Sequence, residues 1–286
     1  MSDVGVAAVV NIDITPVNDA PTVSNTMADQ AATEDTAFSF QFAANTFNDV
    51  DGDILSYTSD ASGWLSFDAA TRTFSGTPLN ADVGTTTVTV ITDDGNGGSV
   101  SDSFAIVVAN TNDAPYFTGN VSGIAVPENT VVHPFETGVS IVDVDNLDFD
   151  GGVLTVRSGT PGLVTDQLSL LQQDGLTLSV NNVLNNGVTI GTWSGGANGS
   201  DLTVAFNSNA HQSDVQLVFT HIEYVSTDQE PTSSPVISVT ISDGDGGVSG
   251  NLNGTVVLIS VNDAPEGSDS TIALDEDTVN VKVVVA

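Results

Sequence analysis

The chain has no cysteine, so neither a disulfide framework nor a thiolate metal centre is open to it, and its 27 glycines in 286 residues need stabilising by other means. Positive charge is almost missing too. Three Lys and Arg stand against 37 Asp and Glu, a formal net charge of -34. Such a surface repels nucleic acid and anionic membranes and leaves cations as the natural partners. No run approaches the roughly 18 apolar residues of a membrane span, which predicts no membrane insertion by this segment, and Met1 to Val10 lacks a basic stretch and a cleavage pattern. Only seven of the acids are Glu, whereas Val occurs 41 times, a composition of strands and turns rather than helices. With 40% hydrophobic residues the chain can still build the cores of about two domains.

What is present is a repeat. The string Asn-Asp-Ala-Pro begins at Asn18, Asn112 and Asn262, each time after an alternating Val/Ile-rich segment, with spacings of 94 and 150 residues. Other acids keep step with these marks. Glu34 follows Asp19 by 15 residues and Glu128 follows Asp113 by 15; Asp49 follows Glu34 by 15 and Asp143 follows Glu128 by 15. Looking backward, Asp93 precedes Asp113 by 20, and Asp243 precedes Asp263 by 20. Core packing alone does not explain acids recurring at turn positions; a shared role as ligands does.

These marks divide the chain. Residues 1–20 read as the last strand of an upstream repeat, 21–113 as a short repeat, 114–263 as an enlarged repeat with an insertion over about 146–234, and 264–286 as the opening of a further repeat. The segment from Val6 to Ile14 is then a strand without its sheet partners. In the short repeat, strands are predicted at Ala37 to Phe42, Ile54 to Thr58, Trp64 to Phe67, Arg72 to Phe74, Thr85 to Ile91 and Ser99 to Val108. Short strands broken by turns about every 10 residues suggest a Greek-key sandwich with Trp64, Phe67 and Phe74 in its core. In the long repeat, strands are predicted at Val153 to Val156, Leu176 to Val180, Val188 to Trp193, Leu202 to Phe206, Val215 to Phe219 and Val236 to Ile241, so the insertion extends or decorates a sandwich. The fold class expected is all-β.

Trp64-Leu65-Ser66-Phe67-Asp68, followed by Thr71-Arg72-Thr73-Phe74-Ser75-Gly76-Thr77-Pro78, closely resembles the signature of dystroglycan-type cadherin-like (CADG) domains of bacterial surface proteins. Val126-Pro127-Glu128-Asn129-Thr130 resembles the first-strand calcium motif of cadherins, and the Asn-Asp-Ala-Pro marks resemble their interdomain calcium linker. The resemblance implies immunoglobulin-like sandwiches in tandem with calcium at the junctions. It covers 21–113 well and the two ends of 114–263. The Asp-Arg-Glu motif of classical cadherins is missing, and roughly 85 residues from Asn146 to Ser234 have no counterpart in the short repeat.

Calcium also follows from chemistry. It takes 6 to 8 oxygens from carboxylates, amides and carbonyls, and Asp-Val-Asp-Gly-Asp at 49–53 supplies them on a short, bendable backbone. The expected ligands at the central junction are Glu34, Asp35, Asp93, Asn112, Asp113, Asp143 and Asp145. Those upstream are Asp19, Asp49, Asp51 and Asp53, and those downstream are Glu128, Asp243, Asp245, Asn262 and Asp263. Two other accounts compete: any single Asp-Gly is an ordinary turn, and an acidic, Lys-poor chain can be a device for solubility in salt. The solubility account predicts acids scattered along the chain, not in register. Asp148 and Asp150, ahead of Gly151-Gly152, are a further candidate ion site, and Gly195 to Leu202 comes near a calcium β-roll repeat but with one extra residue, which favours a plain turn.

No catalytic constellation is found. There is no cysteine nucleophile, no Gly-x-Ser-x-Gly and no phosphate loop. His211 and His221 are expected on one face of a strand, too far apart for joint metal binding, and His133 stands alone, so all three read as structural histidines. The leading expectation is a non-enzymatic, calcium-rigidified spacer of an exported bacterial surface adhesin, acting in adhesion or aggregation, with neighbouring repeats and a surface ligand or like molecule as partners. A peptide- or glycan-binding module in the insertion, with Trp193 and Tyr224 as candidate aromatics, is the alternative; an accessory domain of a secreted enzyme is the third.

Overall fold

The structure is a computed structural model and describes residues 11, 13–145, 148–159, 162–232 and 234–262. The candidate ligand Asp263, the segment 264–286 and most of the predicted strand from Val6 to Ile14 lie outside these residues. The chain divides into two compact units. The first comprises Met1–Pro115 with 143–147 and 245–247; the second comprises Tyr116–Val142, Asp148–Gly244 and Val248–Ala286.

In the first unit, a four-stranded sheet has the order Gln30–Thr33, Ser99–Ala109, Gly84–Asp93, Ser56–Ser59, and a three-stranded sheet the order Phe38–Gln41, Thr73–Gly76, Leu65–Asp68. The long pair Gly84–Asp93 and Ser99–Ala109 is antiparallel, with Gly84 opposite Val108 and Asp93 opposite Ser99. Alternation decides its faces: Val88 and Val90 are buried, while Ile91 is exposed. Phe40, Phe67 and Phe74 come from the three-stranded sheet and Phe104 from the four-stranded one. The Phe67 and Phe74 rings stack with centroids 4.5 Å apart, and Phe74 meets Phe104 edge-on at 5.3 Å. Two sheets packed over an aromatic seam make a sandwich. Trp64 and Phe67 are half-buried against this core and Phe74 lies within it, as predicted.

The second unit repeats one feature of the first. Gln30–Thr33 pairs in parallel with Ser99–Ala109, and Ile124–Pro127 pairs in parallel with Leu252–Ile259. Its main sheet has eight strands, in the order Ile124–Pro127, Leu252–Ile259, Val236–Ile241, Val153–Ser158, Leu202–Phe206, Val188–Gly195, Asn182–Asn185, Leu176–Ser179. The insertion therefore extends a sheet. Gly195 and Gly196, with Asn198 and Gly199, take positive φ in the connection from Val188–Gly195 to Leu202–Phe206, the plain turn expected there.

The segment Val215 to Phe219 is not a strand. Gln212–Thr220 is an α-helix burying Val215, Val218 and Phe219, and it separates His211 from His221 at its two ends instead of placing them on one strand face. Val215 and Val218 favour a strand locally, but the i, i+3, i+4 spacing of Val215, Val218 and Phe219 fits a helix once a core takes that face. The first turn is closed by Asp214, whose carboxylate accepts the His211 N–H at 2.9 Å. Gln216 then receives the Ile141 N–H at 2.7 Å and donates to the Val139 carbonyl, so the helix satisfies the open edge of Val139–Val142. All-β is thus correct for the architecture, with one α-helix among the described residues as an exception forced by packing.

Candidate metal centres

At one corner of the first unit the loop after Phe47–Asn48 folds onto its own first acid. Asp49 Oδ1 accepts the backbone N–H groups of Asp51 at 2.9 Å and Asp53 at 3.4 Å, and Gly52 supplies the positive φ the turn requires. The result concentrates charge: one carboxylate oxygen from each of Asp49, Asp51 and Asp53 lies within 4.8 Å of the others. Asp19 joins through its N–H, which donates to Asp51 Oδ2 at 2.7 Å, so the four residues predicted for the upstream site are brought together. Asp49 Oδ2 is buried and makes no hydrogen bond. An all-oxygen set with one shielded, unsatisfied carboxylate oxygen fits a hard divalent cation such as calcium.

Three residues of this corner were not among the expected ligands. Asn96 donates to Asp53 Oδ2 at 2.9 Å, and Asn18 donates to Asp94 Oδ2 at 3.0 Å. Asp94 is 4% exposed and accepts the Asn96 and Gly98 N–H groups as well. The Asn18 amide first, then the Asn96 N–H, hold its carboxyl below the usual range against the opposing effect of burial. Its stabilising effect is accordingly present above the ordinary value of 3.8 and lost as pH falls through the depressed one. Asp94→Ala should lower the melting temperature more than Asp93→Ala, with the difference shrinking as the melts are repeated at progressively lower pH. Equal melts at pH 7 would refute this anchoring role.

Asp93 is exposed, and its placement corrects the central set. Gly84–Asp93 spans ten residues, roughly 30 Å. Asp93 ends the strand at the upstream corner, whereas Glu34 donates its N–H to the Ala109 carbonyl at the other end of the sheet. Counting 20 residues back from Asn-Asp-Ala-Pro measures one long strand and therefore selects the opposite corner. The same geometry separates Asp243 from Glu128. Asp243 lies beyond the end of Val236–Ile241, while Glu128 meets the far end of Leu252–Ile259 through an N–H donated to the Ile259 carbonyl. Aligning Gly97-Gly98 with Gly246-Gly247 pairs Asp94 with Asp243 and Asn96 with Asp245. Asp94 and Asp243 are both buried.

At the other corner of the first unit Glu34 is 2% exposed, and its carboxylate accepts the Thr111 N–H at 3.2 Å. Asp113 donates its N–H, and Asn110 its side-chain amide, to Asp145 Oδ2, each at 3.1 Å; Asp145 in turn donates its N–H to Asp143 Oδ1 at 3.4 Å. Burial, then the charges of Asp145 and Asp35, push the Asp113 carboxyl above its usual range. Burial acts upward on Asp145 too, but the Asp113 N–H, the Asn110 amide and the Asp143 side chain outweigh it and hold Asp145 low. Glu34, Asp35, Asp113, Asp143 and Asp145 thus belong to one corner, with exposed Asn112 between Thr111 and Asp113.

Glu128 reproduces Glu34. Each is buried, each donates its N–H to the end of the last strand at 3.0 Å, and each is followed by a residue with φ near 58° (Asp35 and Asn129). Glu128 Oε1 accepts the Val261 N–H at 2.8 Å, and Val261 precedes Asn262 as Thr111 precedes Asn112. Glu128 Oε2 is buried without a hydrogen bond. Asp148 and Asp150 close a turn, the Asp150 N–H meeting Asp148 Oδ1 at 3.0 Å.

Residues 20–109 match the family model He_PIG, which describes an Ig domain. That relation is coarser than the CADG repeat the motifs suggested. No curated protein matches the chain. Among solved structures, an endo-fucoidan hydrolase of glycoside hydrolase family 107 is similar with 18% identity and a TM-score of 0.31, over 85% of this chain and 29% of that one. Mouse cadherin-23 EC22-24 has 14% identity and a TM-score of 0.39, over 85% of this chain and 65% of that one. Human protocadherin-24 EC1-2 has 16% identity and a TM-score of 0.35, over 86% of this chain and all of that one. The chain thus spans less than a third of the hydrolase. Among the described residues, no helix is long and apolar enough to cross a membrane.

Proposed function

We propose that the chain is a pair of Ig-like, calcium-dependent extender modules from an exported bacterial surface adhesin, serving cell adhesion or aggregation outside the cell. Calcium would be held at repeat corners by Asp19, Asp49, Asp51 and Asp53, by Glu34, Asp35, Asp113, Asp143 and Asp145, and by Glu128 with Asn262. The observation that carries this reading is the convergence of Asp49, Asp51 and Asp53, their oxygens within 4.8 Å and one of them buried without a hydrogen bond. Bound calcium neutralises charges that otherwise repel, and so stiffens the corner on which a mechanical spacer depends. The ligand-binding alternative gains nothing from its two aromatics: Tyr224 is fully buried with its hydroxyl donated to Asp166, and Trp193 packs against the core.

Calcium titration tests the assignment. Asp51→Asn and Asp113→Ala should each weaken or remove one calcium-binding event, whereas Asp201→Ala should not, since Asp201 makes only a surface ion pair with Arg157. Equal calorimetric isotherms for all three variants would overturn the residue assignments.

A further inference from the structure

The insertion brings together two histidines that lie 88 residues apart in the chain. A cavity of about 380 Å³ in the second unit is lined by His133, Glu136, Gln173, Asp174, Thr220 and His221. None of these belongs to the acidic corners, and the cavity offers nitrogen as well as oxygen.

Its geometry is set from three sides. His221 caps the helix Gln212–Thr220 and is 8% exposed; its Nδ1 lies 2.8 Å from the Leu217 carbonyl. A carbonyl cannot donate, so Nδ1 is the nitrogen that carries a proton toward Leu217, and Nε2 is the one left to meet a metal ion. Nε2 lies 3.5 Å from Asp174 Oδ2. Two ligand atoms on one tetrahedral zinc ion stand roughly 3.3 Å apart, given bonds of about 2.0–2.1 Å. Asp174 is held by its turn, at φ 53° ahead of Gly175, and the loop is pinned to the helix end where the Leu171 N–H meets the His221 carbonyl at 2.8 Å. His133 follows Val132, which exchanges both backbone hydrogen bonds with Tyr224, and His133 Nδ1 is buried with no hydrogen-bond partner. A ring N–H donated to a backbone carbonyl, as at His221 Nδ1, is a usual support of a histidine that binds metal through its other nitrogen.

We propose that this cavity is a second metal site, distinct in chemistry from the calcium corners, which takes a divalent transition ion of the zinc class on His221 Nε2 and Asp174 and draws in His133 as the third ligand. Imidazole selects such ions over calcium, which prefers oxygen alone. Among the described residues no third His, Asp or Glu ligand atom lies within 4.8 Å of both His221 and Asp174. The ion therefore has to pull His133 inward, which predicts micromolar rather than picomolar binding and a cavity that tightens on loading.

The test is a ZnCl2 titration of the whole chain labelled with 15N-histidine, in saturating CaCl2, followed by the imidazole nitrogen resonances. At one equivalent the His221 Nε2 and His133 signals shift and the His211 signals do not, His211 being exposed at the far end of the helix. Asp174→Asn should weaken zinc binding about tenfold or more while leaving the zinc-free melt unchanged, because the Asp174 side chain is 65% exposed. Three results would overturn the site: no histidine shift, equal shifts at His211 and His221 from adventitious surface binding, or unchanged affinity in Asp174→Asn. Calcium stays saturating throughout, so failure of the calcium reading, seen as a melt indifferent to chelator, is read separately.

Discussion

Chelation of calcium is expected to lower the melting temperature of the first unit by about 10–20 °C for each site emptied. The figure follows from linkage: an ion at 100 times its dissociation constant stabilises the folded state by about 2.7 kcal/mol, and each kcal/mol moves the melt of a domain near 100 residues by about 4–8 °C. The upstream corner has the clearest reason to respond. Carboxylate pairs 5 Å apart repel by roughly 3 kcal/mol at an effective dielectric of 20, and Asp49, Asp51 and Asp53 hold three such oxygens inside 4.8 Å. At the other corner, burial and the neighbouring Asp145 and Asp35 already raise Asp113 toward protonation. Calcium binding there should weaken as pH falls through that raised value, because a protonated carboxyl is a poor ligand. Differential scanning calorimetry in calcium, in EDTA, and in EDTA with matched sodium chloride checks the argument. If sodium chloride restores the melt as fully as calcium does, the acids serve solubility and general screening, and the site assignments fall.

The sequence revealed the fold through its periods and the corners through their register, and it misled wherever a count had to be turned into a direction. All six strands predicted in the short repeat are present, because each alternates inward and outward residues between clear turns. The strands Thr22–Val23, Gln30–Thr33 and Phe47–Asn48 were missed; they are held by pairing with distant partners and carry little local signal. Glu34 and Glu128 were legible as equivalents, and they make equivalent hydrogen bonds. Asp93 was not legible as distant from Asp113, since a fixed separation shows that two residues recur together without showing that a whole strand lies between them. Asp94, next to it, carries the buried role, and the Gly-Gly that follows both Asp94 and Asp243 was the available signal. The helix Gln212–Thr220 was settled by tertiary packing in a segment whose residues suit either a strand or a helix, and the cavity shared by His133 and His221 joins residues too far apart in the chain for a local pattern to show.

Phe74→Ala should cost the first unit about 3–5 kcal/mol, which lowers its melting transition by at least about 12 °C. Phe74 is fully buried, and its ring touches Phe67 and Phe40 on its own sheet and Phe104 on the facing one, so truncation removes the contact by which the two layers meet. Little can flow into the gap: the neighbouring Gly76 is already closed in by the Trp64 backbone, leaving the strand Thr73–Gly76 no room to shift toward that side. The two hydrophobic clusters have no residue in common, one built around Phe74, Phe104 and Ile106, the other around Phe135, Phe219 and Tyr224. In EDTA, where calcium contributes nothing, Phe74→Ala should move one calorimetric transition and leave the other in place, and Phe219→Ala should do the reverse. A single transition displaced equally by both substitutions would mean that the clusters melt as one cooperative body, and stability would then have to be assigned to the chain as a whole.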